Sequence, residues 1–357
     1  MNKVHNYSAG PCILPEEVFQ EVANSVLNFN NKNLSLIEMS HRSVDFVEVM
    51  DEARELVKEI LNVPENYEVL FLQGGASLGF LITAYNMMRE NKNGGYIVTG
   101  AWAKKAAKEA AFMGKSSIIA SSEDKNFNYI PKNYEISNDL DYLHFTSNNT
   151  IFGTQFKELP KTDLPLVCDM SSDIFSKKID VAKYDLIYAG AQKNMGPAGT
   201  TLYIVKKDVL GASSVPIPTM LDLKTHSAKD SMFNTPPVFA VYTSMLTLRW
   251  LKKNGGIKHI EALNNEKAAL IYNEIDRNSL FQGTANIVDR SNMNSTFALN
   301  NENLKSEFDS ALVSANISGL KGHRSVGGYR ASMYNALPVE SVKVLVELMK
   351  EFENKFA

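Results

Sequence analysis

Short apolar runs alternating with helix-length amphipathic segments fill the first two thirds of the chain. "EVLFLQ" reads as a strand and "LGFLITAYNMM" as a helix. "GYIVTG" reads as a strand, "AKKAAKEAAFM" as a helix and "SSIIAS" as a strand, and "YLHFTS", "LPLVCD", "YDLIYAG" and "TTLYIV" continue the series. Such alternation predicts an α/β fold with a large, mostly parallel sheet covered by helices on both faces. Ahead of the series, Pro15 opens a helix with Val18, Val22 and Val26 on one face, and a second amphipathic helix is expected from about Phe46 to Leu61. The pattern changes beyond about Gly255. Long helices, "IKHIEALNNEKAALIYNEIDRN", "NLKSEFDSALVSAN" and "PVESVKVLVELMKEFENKF", flank brief strands such as "STFAL" and "YRASMY", which predicts a smaller α+β unit. With "KKNGG", Lys252 to Gly256, as the joint, the expected division is a large domain over residues 16–255 and a small one made of residues 1–15 and 256–357.

Composition narrows the class of protein. A length of 357 residues with 44% hydrophobic content supports two domains with full cores. The 37 basic and 40 acidic side chains are interspersed, which argues against nucleic acid or a membrane surface as the main partner. The opening stretch "MNKVHNYSAGPCILPEE" holds no apolar signal core, and no run is long enough to span a bilayer, so a cytoplasmic protein is expected. Cys12 and Cys168 form no C-x-x-C pair and read as buried thiols. His5, His41, His144, His226, His259 and His323 show no metal-ligand spacing, so no metal is expected, and neither a Walker A nor a G-x-G-x-x-G occurs.

Candidate chemistry gathers where strands end. In "YAGAQKNMGPAGTTLYIV", Lys193 stands between two strands; Asp169 follows "LPLVC"; "FLQGGAS" ends a strand at Gly74-Gly75-Ala76-Ser77 and begins a helix whose N–H groups suit a phosphate. Trp102 in "TGAW" and the Thr150 hydroxyl in "SNNT" lie past two further strand ends. Singly, each has an ordinary reading: a solvated loop lysine, a loop cap, a Gly-Gly turn, a core tryptophan. Together they are the equipment for pyridoxal 5'-phosphate. A lysine amine joins the cofactor aldehyde, an aspartate keeps the pyridine nitrogen protonated, and the freed amine then moves a proton. A rival is the G-x-S-x-G of residues 75–79, a formal nucleophile elbow that would make Ser77 a serine-hydrolase nucleophile, with His323 as a candidate base. Two His-Arg dipeptides, His41-Arg42 and His323-Arg324, and Arg330 supply cations suited to a substrate with more than one negative group.

The chain resembles the phosphoserine aminotransferases of the class V pyridoxal-phosphate group over essentially its whole length. The resemblance runs through "NYSAGPCILPEEV", "SHRS", "LQGGAS", "GAW", "CDMSS", "YAGAQKNMGPAG", "NTPPVFAVY" and "KGHRSVGGYRASMYNALP". It implies the aminotransferase fold (fold type I), with Lys193 carrying the cofactor, Asp169 paired with the pyridinium, Trp102 stacked on the ring and Thr150 on its phenolic oxygen. It also implies that Ala76, Ser77 and Gln192 hold the phosphate, helped by Asn234 and Thr235 from the second subunit of a homodimer. His41, Arg42, His323, Arg324 and Arg330 would bind the substrate's anions. The reaction so implied is reversible transamination between 3-phosphohydroxypyruvate and glutamate, with phosphohydroxythreonine of pyridoxine synthesis as a further candidate substrate. An alanine–glyoxylate type of class V activity and a catalytically silent cofactor-binding protein stand as alternatives. Some relatives carry arginine where this chain has Ser77, and often proline where it has Ser147.

Overall fold

In the computed structural model, which describes residues 4–357, the elements follow the apolar pattern closely. In chain order they are β1 (His5–Asn6), α1 (Glu16–Leu27), α2 (Val44–Leu61), β2 (Tyr67–Gln73), α3 (Gly75–Met87), β3 (Asn93–Val98), α4 (Ala101–Ala110), β4 (Lys115–Ser121), β5 (Tyr142–Thr146), β6 (Leu166–Asp169), β7 (Leu186–Gly190) and β8 (Thr200–Lys206). Then come α5 (Leu223–Ser227), α6 (Val238–Lys253), α7 (Gly256–Arg277), β9 (Phe281–Gly283), β10 (Asn294–Leu299), α8 (Lys305–Ser314), β11 (Ile317–Ser318), β12 (Tyr329–Ser332) and α9 (Val339–Phe356).

Seven strands form the main sheet in the order β2-β8-β7-β6-β5-β3-β4. The pairs β7·β6, β6·β5, β5·β3 and β3·β4 are parallel, whereas β8 is antiparallel to both β2 and β7. "TTLYIV" is thus a return strand. Its short connection from β7 explains how a nine-residue loop carrying Lys193 closes without a crossover helix.

Side-chain alternation assigns the two faces of the sheet. Val69, Phe71, Leu143, Phe145, Cys168, Ile187 and Ala189 point into one apolar cluster with α2 and α6, while Leu70, Leu72, Tyr142, Val167, Leu186 and Tyr188 point into the other with α3 and α4. A third cluster joins Tyr7 of the N-terminal arm to Ile271, Ile275, Phe297, Phe308, Tyr329, Leu345 and Phe352, around the three-stranded sheet β12-β10-β9. The arm is tied there by β1, which pairs in parallel with β11, and by the Tyr7 hydroxyl donating to the Ser341 carbonyl at 2.6 Å.

Four readings need correction. The helix after Pro15 buries Val18, Val22 and Ser25, leaving Val26 only half-buried, and the second helix begins two residues early because Ser43 caps it. The sequence pattern also missed α6, a full helix in which ten of sixteen residues are buried, nine of them consecutive, so no 3.6-residue period survives. Cys168 is buried as expected, but Cys12 is only half-buried, and its thiol donates to the Lys193 carbonyl at 2.6 Å.

Candidate active site

The carboxyl ends of β2, β3, β5, β6 and β7, with the start of β8, share one edge of the main sheet, and a cavity of about 400 Å³ opens there. Lys193 enters it from the β7–β8 loop. Its ammonium donates to Thr150 Oγ1 at 2.8 Å, and burial lowers its pKa from 10.5 to about 8, with Arg330 pushing the same way and Asp169 opposing. Asp169, the last residue of β6, is buried at 4% exposure. Burial raises its pKa above the ordinary carboxylate value, against the Ser171 N–H, which donates to Oδ1 at 2.9 Å, and the Lys193 charge. Oδ2 has no protein donor among the described residues.

At the end of β2, Gly74 takes φ +107° and Gly75 φ +64°, left-handed values that glycine adopts without strain, and α3 starts at once. A side chain at Gly74 would place its Cβ 2.3 Å from Leu78, so the chain can turn this tightly only without one. The first backbone bond of α3 runs from Leu78 N–H to the Gly74 carbonyl, which leaves the N–H groups of the first turn, at Gly75, Ala76 and Ser77, without helical acceptors. All three residues line the cavity, as does Gln192. Trp102, in the first turn of α4, lines it too, with its indole N–H buried and unpartnered.

Arg330 reaches the cavity from β12, where its Nη1 donates to the Thr150 carbonyl at 3.4 Å while its Nε has no partner. His323 lies beside it, its Nδ1 accepting from the Ser325 N–H at 3.2 Å, which leaves Nε2 to carry the proton of the neutral ring. Of the sequence candidates, Ala76, Ser77, Trp102, Thr150, Asp169, Gln192, Lys193, His323 and Arg330 meet in this one cavity. His41, Arg42, Asn234, Thr235 and Arg324 do not line it within one chain. Arg42, Thr235 and Arg324 are exposed, and Thr235 is held by Gln73 Nε2 donating to its carbonyl at 2.5 Å.

The hydrolase reading fails on geometry. Ser77 lies inside the first turn of α3, not on a strained turn ahead of it, and among the described residues no histidine hydrogen-bonds its hydroxyl. Sequence reasoning assigned no role to Ala9, Gly10, Asn148, Ser171 and Ser172, which also line the cavity. Ser171 could have been suspected from its place two residues after Asp169, and its Oγ accepts from the Gly190 N–H at 3.0 Å, tying β6 to β7 beneath the site.

Known proteins resemble this chain over its whole length. The aminotransferase class-V family matches residues 4–345. The phosphoserine aminotransferase of Flavobacterium psychrophilum is 62% identical over 99% of both chains. Among solved structures, the phosphoserine aminotransferase of Bacillus circulans subsp. alkalophilus superposes with a TM-score of 0.96 at 41% identity over 100% of both chains. The pyridoxal-phosphate-bound phosphoserine aminotransferase of Trichomonas vaginalis gives 0.92 at 36% identity over 98% of this chain and 100% of its own. With this cavity, sheet order and whole-length similarity together, the chain belongs to the class V aminotransferases and, within them, to the phosphoserine aminotransferases.

Proposed function

We propose that this protein transfers an amino group reversibly between L-glutamate and 3-phosphohydroxypyruvate, giving 2-oxoglutarate and O-phospho-L-serine in serine biosynthesis, with pyridoxal 5'-phosphate held in the cavity described. The residues present fit that cofactor. Free N–H groups at the α3 N-terminus, with the Ser77 hydroxyl and Gln192, suit its phosphate. The buried Asp169 carboxylate suits its ring nitrogen, the Trp102 indole its ring face and Thr150 its phenolic oxygen. When bound, it supplies the aldehyde that takes up the amino group and the ring that withdraws electrons from the breaking bond.

The chain's own residues supply the rest. Lys193 Nζ, with its pKa near 8, is free in a useful fraction near neutral pH to take up the proton from the substrate Cα and return it. Thr150 Oγ1 orients that amine. Asp169 keeps a negative charge in a dry setting, where it acts strongly on a ring nitrogen. Arg330, unpaired by any carboxylate among the described residues, offers its fork to the α-carboxylate shared by both substrates.

A homodimer with shared sites is part of this reading. Asn234 and Thr235 would serve the partner's phosphate site, and His41 and Arg42 lie on a surface segment flanked by the exposed Ile37 and Val44, 63% and 73% accessible, which favours burial against a second copy. The third apolar cluster supports assigning residues 1–15 and 256–357 to a small domain and 16–255 to a large one. Among the described residues no helix is long and apolar enough to cross a membrane. We place the enzyme in the cytoplasm, with phosphohydroxythreonine as a second substrate in pyridoxine synthesis.

The observation that carries the reading is Lys193 Nζ in one cavity with Asp169, Trp102 and the start of α3. The test is half-reaction kinetics of the cofactor-loaded protein with glutamate, phosphoserine and alanine, alongside Lys193→Ala. Wild type should use the first two and neglect alanine, and the variant should fold yet lose turnover. Normal turnover of Lys193→Ala, or equal use of alanine and phosphoserine, overturns it.

A further inference from the structure

We infer that Lys105 is a specificity-determining residue of this site, a cation beside the cavity that favours the doubly charged phosphate of the substrate over a carboxylate. The inference rests on the function proposed above and goes beyond it by adding a residue that neither the strand-end pattern nor the cavity lining contains.

Lys105 follows Trp102 by one turn of α4, and its ammonium lies 4.4 Å from the centroid of the indole ring that lines the cavity. Its neighbour Lys104 points elsewhere and is ion-paired with Glu123 at 2.5 Å. Lys105 has no carboxylate partner among the described residues, so its charge is held by an aromatic face and is not neutralised. His323 and Arg330 line the cavity and Arg324 follows His323 in the chain, all three without carboxylate partners among the described residues. The basicity of His323 is depressed first by burial and then by Arg330, Arg324 and Lys105, so all four groups share one field.

Three mutually repelling cations, Lys105, Arg324 and Arg330, surround the neutral His323 beside a cavity whose lining holds one carboxylate, Asp169, set next to Lys193. Such an arrangement is relieved by an anion of several charges. Arg330 accounts for an α-carboxylate. Lys105, His323 and Arg324 then face the far end of the ligand, where a phosphate brings about −1.5 to −2 charges and a carboxylate one. A point-like ammonium attracts the phosphate about twice as strongly, so its loss must fall unequally on the two substrates.

The test uses the cofactor-loaded enzyme with Lys105→Gln and Lys105→Arg, measuring kcat and KM for phosphoserine and for glutamate at low and high potassium chloride. For Lys105→Gln, KM for phosphoserine should rise about three- to fourfold and KM for glutamate about twofold, with kcat little changed. The phosphoserine effect should shrink at about 0.5 M salt, where exposed charges are screened, and Lys105→Arg should restore most of the affinity. An equal change for both substrates, no change for either, or a change insensitive to salt overturns the assignment. Failure of wild type itself to use phosphoserine would instead overturn the proposed function, so the two failures are distinguishable.

Discussion

Replacing Thr150 with valine should make Lys193 a weaker base. Thr150 is buried at 4% exposure, and its Oγ1 accepts from the Lys193 ammonium at 2.8 Å. An acceptor favours the charged form of its donor, so removing it lowers the lysine pKa further. A hydrogen bond to a charged group contributes about 1.5–3 kcal/mol. One pKa unit corresponds to about 1.36 kcal/mol, and because Lys193 is half-buried, water recovers part of the loss. The expected net fall is about one unit, from about 8 to about 7. The assay is the rate at which cofactor-free protein takes up pyridoxal phosphate as a function of pH, followed by absorbance. Only the unprotonated amine attacks the aldehyde, so the rate rises through the lysine pKa. Wild type should show a midpoint near 8, Thr150→Val one about a unit lower, and Thr150→Ser one close to wild type. Coincident midpoints for wild type and Thr150→Val would refute the argument, as would a wild-type midpoint near 10.5.

Asp169→Asn keeps the shape but loses the charge, so kcat should fall about a hundredfold or more while cofactor titration still shows binding; recovery of the full rate on adding cofactor would reduce Asp169 to a tether. Arg330→Gln should raise KM for glutamate and phosphoserine alike, by about 2–3 kcal/mol or tens- to hundredsfold, in the same half-reaction assays. Lys267 is fully buried, donates to the carbonyls of Met333, Tyr334 and Leu337 at 3.0, 2.9 and 3.1 Å, and has its pKa lowered by burial from 10.5 to about 7. Between those values the unfolded chain binds the more protons, so Lys267 makes stability rise with pH across that window and no longer does so below it. Lys267→Met should flatten that slope in urea unfolding of the cofactor-free protein and lower stability at about pH 9 by about 2–4 kcal/mol, because the buried carbonyls lose the two N–H donors of the neutral amine.

Strands were legible in the sequence because β5, β6 and β7 are buried along their whole length and read as unbroken apolar runs. For the same reason α6 was not, since burial on nearly every side erases the period that marks a helix. Lys193 and Asp169 stood out because each ends such a run. Ala9 and Gly10 did not, because the arm reaches the cavity only through contacts hundreds of residues distant, such as the Tyr334 hydroxyl donating to the Ala9 carbonyl at 2.8 Å. Lys267 did leave a trace. With Ile260, Asn264, Ala268 and Ile271 it occupies the helical stripe that faces inward, and polar residues on such a stripe demand buried partners.

That helix, α7, is shared between two cores: Ile260 belongs to the cluster beneath the main sheet, whereas Ala268, Ile271 and Ile275 belong to the one built on β9, β10 and β12. Mechanically it is a lever. Its 22 residues make a rod about 33 Å long, so tilting it by about 5° about its middle would carry each end about 1.4 Å. Asn264 and Lys267 sit near the middle of that rod. There Asn264 Nδ2 donates to the Ser176 carbonyl at 3.1 Å and to Asn335 Oδ1 at 2.9 Å, and the Asn335 N–H donates to Asn194 Oδ1 at 3.0 Å, one residue from Lys193. Stitched in this way, the helix joins the small-sheet core to the loop that carries Lys193, so a change of packing around β9, β10 and β12 reaches that loop through two side-chain amides.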